Sequence, residues 1–222
     1  MLQAACDFCV ELSFGKGSDL TRNLLAPEYG SRLLYQSPNF VVMPSLGQIV
    51  EGYLLIVPKA HFISMAHLPD TLFSELIEVK EHIRTLLTDA YATPLTFEHG
   101  PMSETERGGC CVDHAHFHVV PTNVDLLASL QSRFQGHHIL ELTDVKQQLN
   151  KRVPYLYYET QAGVAYIFDA PVVESQFLRR QLAKEVGVPD EWDWAVYPGV
   201  DRIKSTLALL QHEPHKDPVL WL

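Results

Sequence analysis

The chain is short of positive charge. Its 222 residues carry 17 Lys and Arg against 27 Asp and Glu, a formal net charge of −10. That balance argues against general binding to nucleic acid or to an anionic membrane, while leaving room for a small local basic pocket. Long apolar runs are missing too, so no stretch reads as a bilayer span. The first residues are acidic early and lack a basic-then-apolar leader, which makes a cytoplasmic location the expectation. Cysteine is scarce: Cys6/Cys9 and Cys110/Cys111 are all there is. Adjacent cysteines rarely bond to each other, so a secreted disulfide framework fits poorly. No low-complexity linker divides the chain, and its length allows one large domain or a domain with a substantial extension.

Against these absences stands one dense stretch, Asp113-His114-Ala115-His116-Phe117-His118-Val119-Val120-Pro121. Its period of two is that of a strand. His114, His116 and His118 share one face, and Ala115, Phe117 and Val119 share the other. Neighbours two apart on a strand have Cα atoms roughly 6.5 Å apart. Three imidazoles at that spacing can hold a metal, share protons around a substrate, or divide those tasks. A water-facing polar strand is the plain alternative. A purification tag would not alternate in this way or sit mid-chain after Gly108-Gly109.

Cys6-Asp7-Phe8-Cys9 has the two-residue gap of a zinc knuckle or a redox dithiol. Two thiolates need two more ligands to close a zinc site, and the histidine strand can supply them. Further along, Arg32–Gln36 and Phe40–Pro44 read as a hairpin around Ser37-Pro38-Asn39, and Tyr53–Val57 as a buried strand ending at Pro58-Lys59-Ala60-His61. Phe73, Leu76, Ile77, Val79, Ile83, Leu86 and Leu87 form one helical stripe, with Asp70 as its cap. Pro94–Glu98 is another strand, which His99-Gly100-Pro101 is expected to break. Asn23–Ala26 reads as a short helical turn without assigned chemistry.

Residues 6 to 121 resemble the histidine triad (HIT) family of nucleotide hydrolases and transferases. The resemblance rests on His114–Pro121 preceded by Gly108-Gly109, on Leu55-Ile56-Val57-Pro58-Lys59-Ala60-His61, and on Cys6-Asp7-Phe8-Cys9, in matching order and spacing. It implies that His116 is a nucleophile attacking an α-phosphorus to give a nucleotidyl-imidazole. It implies that His118 binds the phosphoryl oxygens or holds a proton. It further implies a structural zinc on Cys6, Cys9, His61 and His114, a closed Cys₂His₂ set with no open position for water.

The chain also departs from the family pattern. Cys110 and Cys111 stand where Gln-Ser or Gln-Thr is common, and they are read either as substrate-side groups or as small buried fillers. Ser45 lies near the place where many members carry a ribose-binding Asp. Tyr53 stands where many have a histidine. His99 meets a glycine turn near the site and is a candidate substrate contact.

Beyond Pro121, Pro154–Glu159 and Val164–Asp169 flank a turn and form a hairpin whose aromatics most simply close a sheet. Helices are read at Asp125–Phe134, Ser175–Val186 and Val200–Leu210. Arg179 or Arg180 is expected to reach substrate phosphate, with a solvated helix face as the alternative.

The fold expectation is therefore α+β: a HIT-like antiparallel sheet with covering helices over residues 1–121, and an α/β C-terminal extension over 122–222 packed on it. The expected activity is nucleotide hydrolysis at an α-phosphate, with dinucleoside polyphosphates among the substrates. A nucleotidyltransferase or phosphorylase, and a zinc-stabilised non-catalytic nucleotide-binding protein, are the alternatives. Neither nucleic acid nor membrane is expected as a partner, and homodimerisation is left open.

Overall fold

The computed structural model describes residues 6–14, 31–103 and 112–211. Its centre is one eight-stranded sheet in which all neighbours are antiparallel. The strands are β1 (Tyr35–Gln36), β2 (Phe40–Pro44), β3 (Leu54–Pro58), β4 (Pro94–Gly100), β5 (Phe117–Pro121), β6 (Gly136–Ile139), β7 (Tyr155–Glu159) and β8 (Ala165–Asp169). Their spatial order is β1-β2-β3-β5-β4-β7-β8-β6. The described helices are α1 (Asp7–Phe14), α2 (Phe73–Ala90), α3 (Leu127–Arg133), α4 (Gln147–Lys151), α5 (Phe177–Glu185) and α6 (Val200–Gln211).

The sheet separates two cores, which explains why β2 and β3 are apolar without alternation. On one face, Val42, Ile56, Phe117 and Val119 meet Leu76, Val79, Ile83 and Leu87 of α2 and Ile203, Leu207 and Leu210 of α6. On the other, Val41, Leu55, Phe97 and Val120 meet Phe8 of α1, Leu130 of α3 and Phe177, Leu178 and Leu182 of α5. Every second residue of β5 therefore points to each core. Phe117 and Val119 enter the first and His118 faces the second, as the alternation requires.

The strands after Pro121 join the sheet edge to edge. β7 pairs with β4 in register from Thr96↔Glu159 to Gly100↔Tyr155, so the later hairpin widens the sheet that carries the histidines. Tyr155, Tyr157 and Tyr158 are buried in that widened sheet. β4 also runs further than the sequence suggests. His99 and Gly100 stay in the strand because Leu156 and Tyr155 give them a ladder partner that local turn propensity does not register. The segment Asn23–Ala26 lies outside the described residues.

Candidate functional site

The chain bends at residues 112–114 and β5 starts only at Phe117, so of the three histidines expected on a strand only His118 lies within it, and three local contacts fix the rings. His114 donates Nε2–H to the Pro58 carbonyl at 2.8 Å, which turns Nδ1 toward the cysteines. His116 donates Nδ1–H to the His114 carbonyl at 2.6 Å, which leaves the lone pair on Nε2. His118 is held between strands: Leu55 and Phe97 are its ladder partners, the Phe97 ring stacks on it at 4.5 Å, and the Tyr53 hydroxyl is hydrogen-bonded to its Nδ1 at 2.7 Å. The His116 and His118 rings are 4.6 Å apart, and His99 on β4 lies 6.2 Å beyond His118.

All three rings are buried. Burial is the main reason their pKa values fall: His116 to about 4, His99 to about 3, and His118 well below its usual value. Arg179 beside them pushes each in the same direction, and Arg32 adds to the effect on His116. The cluster is thus a row of neutral imidazoles, each able to present one donor and one acceptor.

A second cluster adjoins it. Cys6, Cys9, His61 and His114 place their ligand atoms all within 4.8 Å of one another. Sγ of Cys6 is 3.4 Å from His114 Nδ1, and Sγ of Cys9 is 3.4 Å from His61 Nδ1 and 3.7 Å from His114 Nδ1. With zinc bonds of about 2.0–2.3 Å, neighbouring tetrahedral donors sit about 3.5 Å apart, so this set fits zinc. The Pro58 carbonyl supplies the outer hydrogen bond that orients a ligating histidine. Cys9 belongs to α1 and Cys6 immediately precedes it, and Phe8 between them packs edge-on against His114 and His116 at 5.7 and 5.4 Å. The donor set thus ties α1 down over the histidine row.

Two buried arginines flank the row. Arg32 forks onto both carboxylate oxygens of Glu11 on α1, each at 2.7 Å, and also donates to the Pro44 carbonyl. Arg179 on α5 donates to the Gly47 carbonyl at 2.6 Å and to Ser45 Oγ at 3.4 Å. Its neighbour Arg180 is placed elsewhere, 3.2 Å from the Trp192 ring centroid with Nε donating to the Ser175 carbonyl. Successive helix residues point about 100° apart, so only one of the pair can turn toward the sheet. Ser45 and His99 both lie at the cluster; His99 Nε2 accepts the backbone N–H of Leu178 at 3.1 Å. Cys110 and Cys111 lie outside the described residues. Arg32 and Glu11 belong to none of the motifs read from the sequence, and Phe8 enters only as a spacer residue of Cys6-Asp7-Phe8-Cys9. A charged residue at Arg32 inside an otherwise apolar strand pattern was the one available signal.

The family profile described as HIT domain matches residues 26–125. The chain carries a HIT domain. CWF19-like protein 1 of Xenopus laevis is 26% identical over 186 residues, covering 77% of this chain and 33% of that protein. Adenosine 5'-monophosphoramidase HNT1 of Candida albicans is 32% identical over 75 residues, covering 33% of this chain and 49% of that protein. The chain therefore spans between a third and a half of the length of these curated relatives. Among solved structures, a zinc-bound histidine triad family protein from Mycobacterium smegmatis is 19% identical with a TM-score of 0.41, covering 67% of this chain and 97% of that one. A histidine triad protein from Clostridium difficile is 20% identical with a TM-score of 0.41, covering 56% and 96%. His114, His116 and His118 fall inside the matched HIT domain. Cys6 and Cys9 precede it, and Arg179 follows it.

Proposed function

We propose that the protein is a nucleotide hydrolase acting at an α-phosphate through a nucleotidyl-His116 intermediate. The observation that carries this reading is the Nδ1–H···O=C bond from His116 to His114, which commits Nε2 as the nucleophilic atom. In the first step the Nε2 lone pair forms a bond to the α-phosphorus. The bond from phosphorus to the leaving group breaks, and its electron pair departs with the leaving group. His118, oriented by Tyr53 and Phe97, stands beside the attacking ring to donate a hydrogen bond to phosphoryl oxygen. In the second step water attacks the same phosphorus, the P–N bond breaks with its electron pair returning to Nε2 of His116, and the proton lost from the attacking water passes to solvent as the mononucleotide leaves. Position and charge stabilisation supply most of the rate in phosphoryl chemistry, and a rigid, buried row of imidazoles favours both.

Cys6, Cys9, His61 and His114 would hold a structural zinc. That ion would bind four protein donors and tie α1 to the catalytic stretch, leaving chemistry to His116 and His118. His99, Ser45 and Arg179 are the substrate-side contacts, with Cys110 and Cys111, which shortly precede the histidines in sequence, as further candidates.

Dinucleoside polyphosphates are the proposed substrates. The monophosphoramidase named among the relatives makes nucleoside phosphoramidates the comparison class. Transfer to phosphate or to another acceptor is the second reading of the same intermediate. Turnover of adenosine- and uridine-containing dinucleotides in ¹⁸O-water, with and without inorganic phosphate, tests this directly. Hydrolysis places the label in the released mononucleotide. Product that is unlabelled and formed only with phosphate would reassign the enzyme as a phosphorylase.

A further inference from the structure

The two buried arginines are not equivalent. Arg32 is neutralised by Glu11 through two hydrogen bonds of 2.7 Å. Arg179, only 3% exposed, is surrounded by neutral acceptors. Its Nε donates to Gln176 Oε1 at 3.1 Å and to the Trp192 carbonyl at 3.0 Å, and its Nη2 to the Gly47 carbonyl at 2.6 Å. Nη1 has the loosest partner, Ser45 Oγ at 3.4 Å. Among the described residues Arg179 forms no ion pair. A buried cation without a counter-charge is unfavourable unless something else compensates it.

The surroundings hold that cation in one place. Gln176, at the start of α5, has the left-handed backbone (φ 57°) that a non-glycine residue rarely takes. The Leu178 N–H that follows is fixed on His99. Opposite, Gly47 has φ +67°, and a Cβ there would lie 2.7 Å from Arg179 Nη2 and 2.5 Å from Trp194 Cα. The guanidinium therefore sits against a backbone position that only glycine fits. Its Cζ lies 5.4 Å from the centroid of the Tyr53 ring, whose hydroxyl is hydrogen-bonded to His118, and the next residue back, Leu178, is bonded to His99.

We propose that Arg179 and Ser45 form an anion subsite that receives a phosphoryl group of the substrate beside His118 and His99. Arg179, which lies beyond the matched HIT domain, thereby completes its nucleotide site. The proposal rests on the reading of the histidine row as a nucleotide site. Phosphate is the ligand chemistry because a guanidinium fork and neutral imidazole N–H groups both donate to phosphoryl oxygen, and the bound charge compensates Arg179. The phosphate could be the one attacked by His116 or the next one along the chain.

Equilibrium binding in a His116→Ala background separates this inference from the proposed chemistry, because no covalent step can occur. The probes are adenosine, AMP and diadenosine tetraphosphate, with the matching uridine series, titrated into otherwise native protein and into Arg179→Met. The expected result is at least a tenfold loss of affinity for the phosphorylated ligands with nucleoside binding unchanged. Loss for AMP as well as the dinucleotide places the attacked phosphate in the subsite; loss for the dinucleotide alone places the next one there. Equal affinities in both proteins, or an equal loss for the bare nucleoside, overturns the proposal. Arg179 also ties Gly47 to Trp192, so Arg179→Lys provides a second variant that keeps the charge. It is expected to retain part of the phosphate preference. If Arg179→Lys binds AMP no better than adenosine while the parent prefers AMP, the fork is essential and the subsite stands. If neither the parent nor Arg179→Lys prefers AMP or the dinucleotide over nucleoside, there is no anion subsite. Absence of a trapped His116 adduct in the native enzyme would remove the proposed chemistry and leave these binding results intact.

Discussion

His116 and His114 are joined by a bond two residues long: the Nδ1–H of one donates to the carbonyl of the other at 2.6 Å. The same peptide stretch thus links the two clusters. His114 turns its Nδ1 to Cys6 and Cys9, and its carbonyl sets the tautomer of His116. Disturbing the cysteine cluster should therefore be felt at the histidine row.

The purified protein should hold close to one zinc per chain. Cys6→Ser should lower metal content and thermal stability together, because metal bound only by the folded state adds to folding free energy. Elemental analysis and melting curves with and without chelator check this. Zinc-free protein that was never exposed to chelator, with a melting temperature indifferent to added zinc, would count against the assignment.

Glu11→Gln should destabilise the protein by about 3 kcal/mol, since it removes the counter-charge of a buried arginine. Both side chains are almost fully buried, at 4% and 2% exposed, so solvent cannot replace the lost partner. The double substitution Glu11→Gln with Arg32→Met should recover part of the loss. Denaturant unfolding of the single and double variants decides; additive losses would mean the pair is not coupled.

Glu98 lies on the opposite face of the sheet, where it accepts from the Tyr155 hydroxyl at 2.5 Å and the Met65 N–H at 2.7 Å. Burial is the main cause that raises its pKa from 4.5 to about 7, against the lowering effect of those two bonds. Between those values the folded state keeps a proton that the unfolded state has lost. Its contribution to stability is thus fully present below pH 4.5 and is lost as pH rises through 7. The difference is on the order of 3 kcal/mol. Glu98→Gln stays neutral and should gain relative to the parent as pH goes from 5 to 8, measured as the difference in melting temperature. A difference that stays constant over that range would show that Glu98 does not titrate there.

Arg180→Ala should leave nucleotide affinity within about twofold of the parent, because its guanidinium stacks on Trp192 and does not face the histidines. A fall in affinity matching that of an Arg179 variant would contradict the side-chain placement.

Much of this arrangement was legible in the sequence where a local pattern carried it. Alternation in His114–His118 fixed which face each ring takes, and the hairpin at Tyr155–Asp169 follows from strand propensity around a turn. The motif resemblance names the four proposed zinc donors, and the structure brings them together. What escaped depended on partners distant in sequence. α1 is a single short helix whose hold is the Arg32–Glu11 pair and the packing of Phe8, neither of which leaves a periodic trace. The continuation of β4 through His99 and Gly100 required β7 to arrive beside it. The choice of Arg179 over Arg180 required the rotation of α5 about its axis, which the Phe177, Leu178 and Leu182 contacts set.

The central claim is that Nε2 of His116 becomes covalently nucleotidylated. Brief incubation of the zinc-loaded enzyme with a dinucleoside polyphosphate, followed by quenching at neutral or alkaline pH, preserves an imidazole–phosphorus bond that acid would break. Peptide mass mapping then locates the adduct. The account predicts one nucleotide on the peptide containing His116, and no adduct or turnover in a folded, zinc-retaining His116→Ala variant. An adduct mapped to any other residue, or near-normal turnover by His116→Ala, would contradict it.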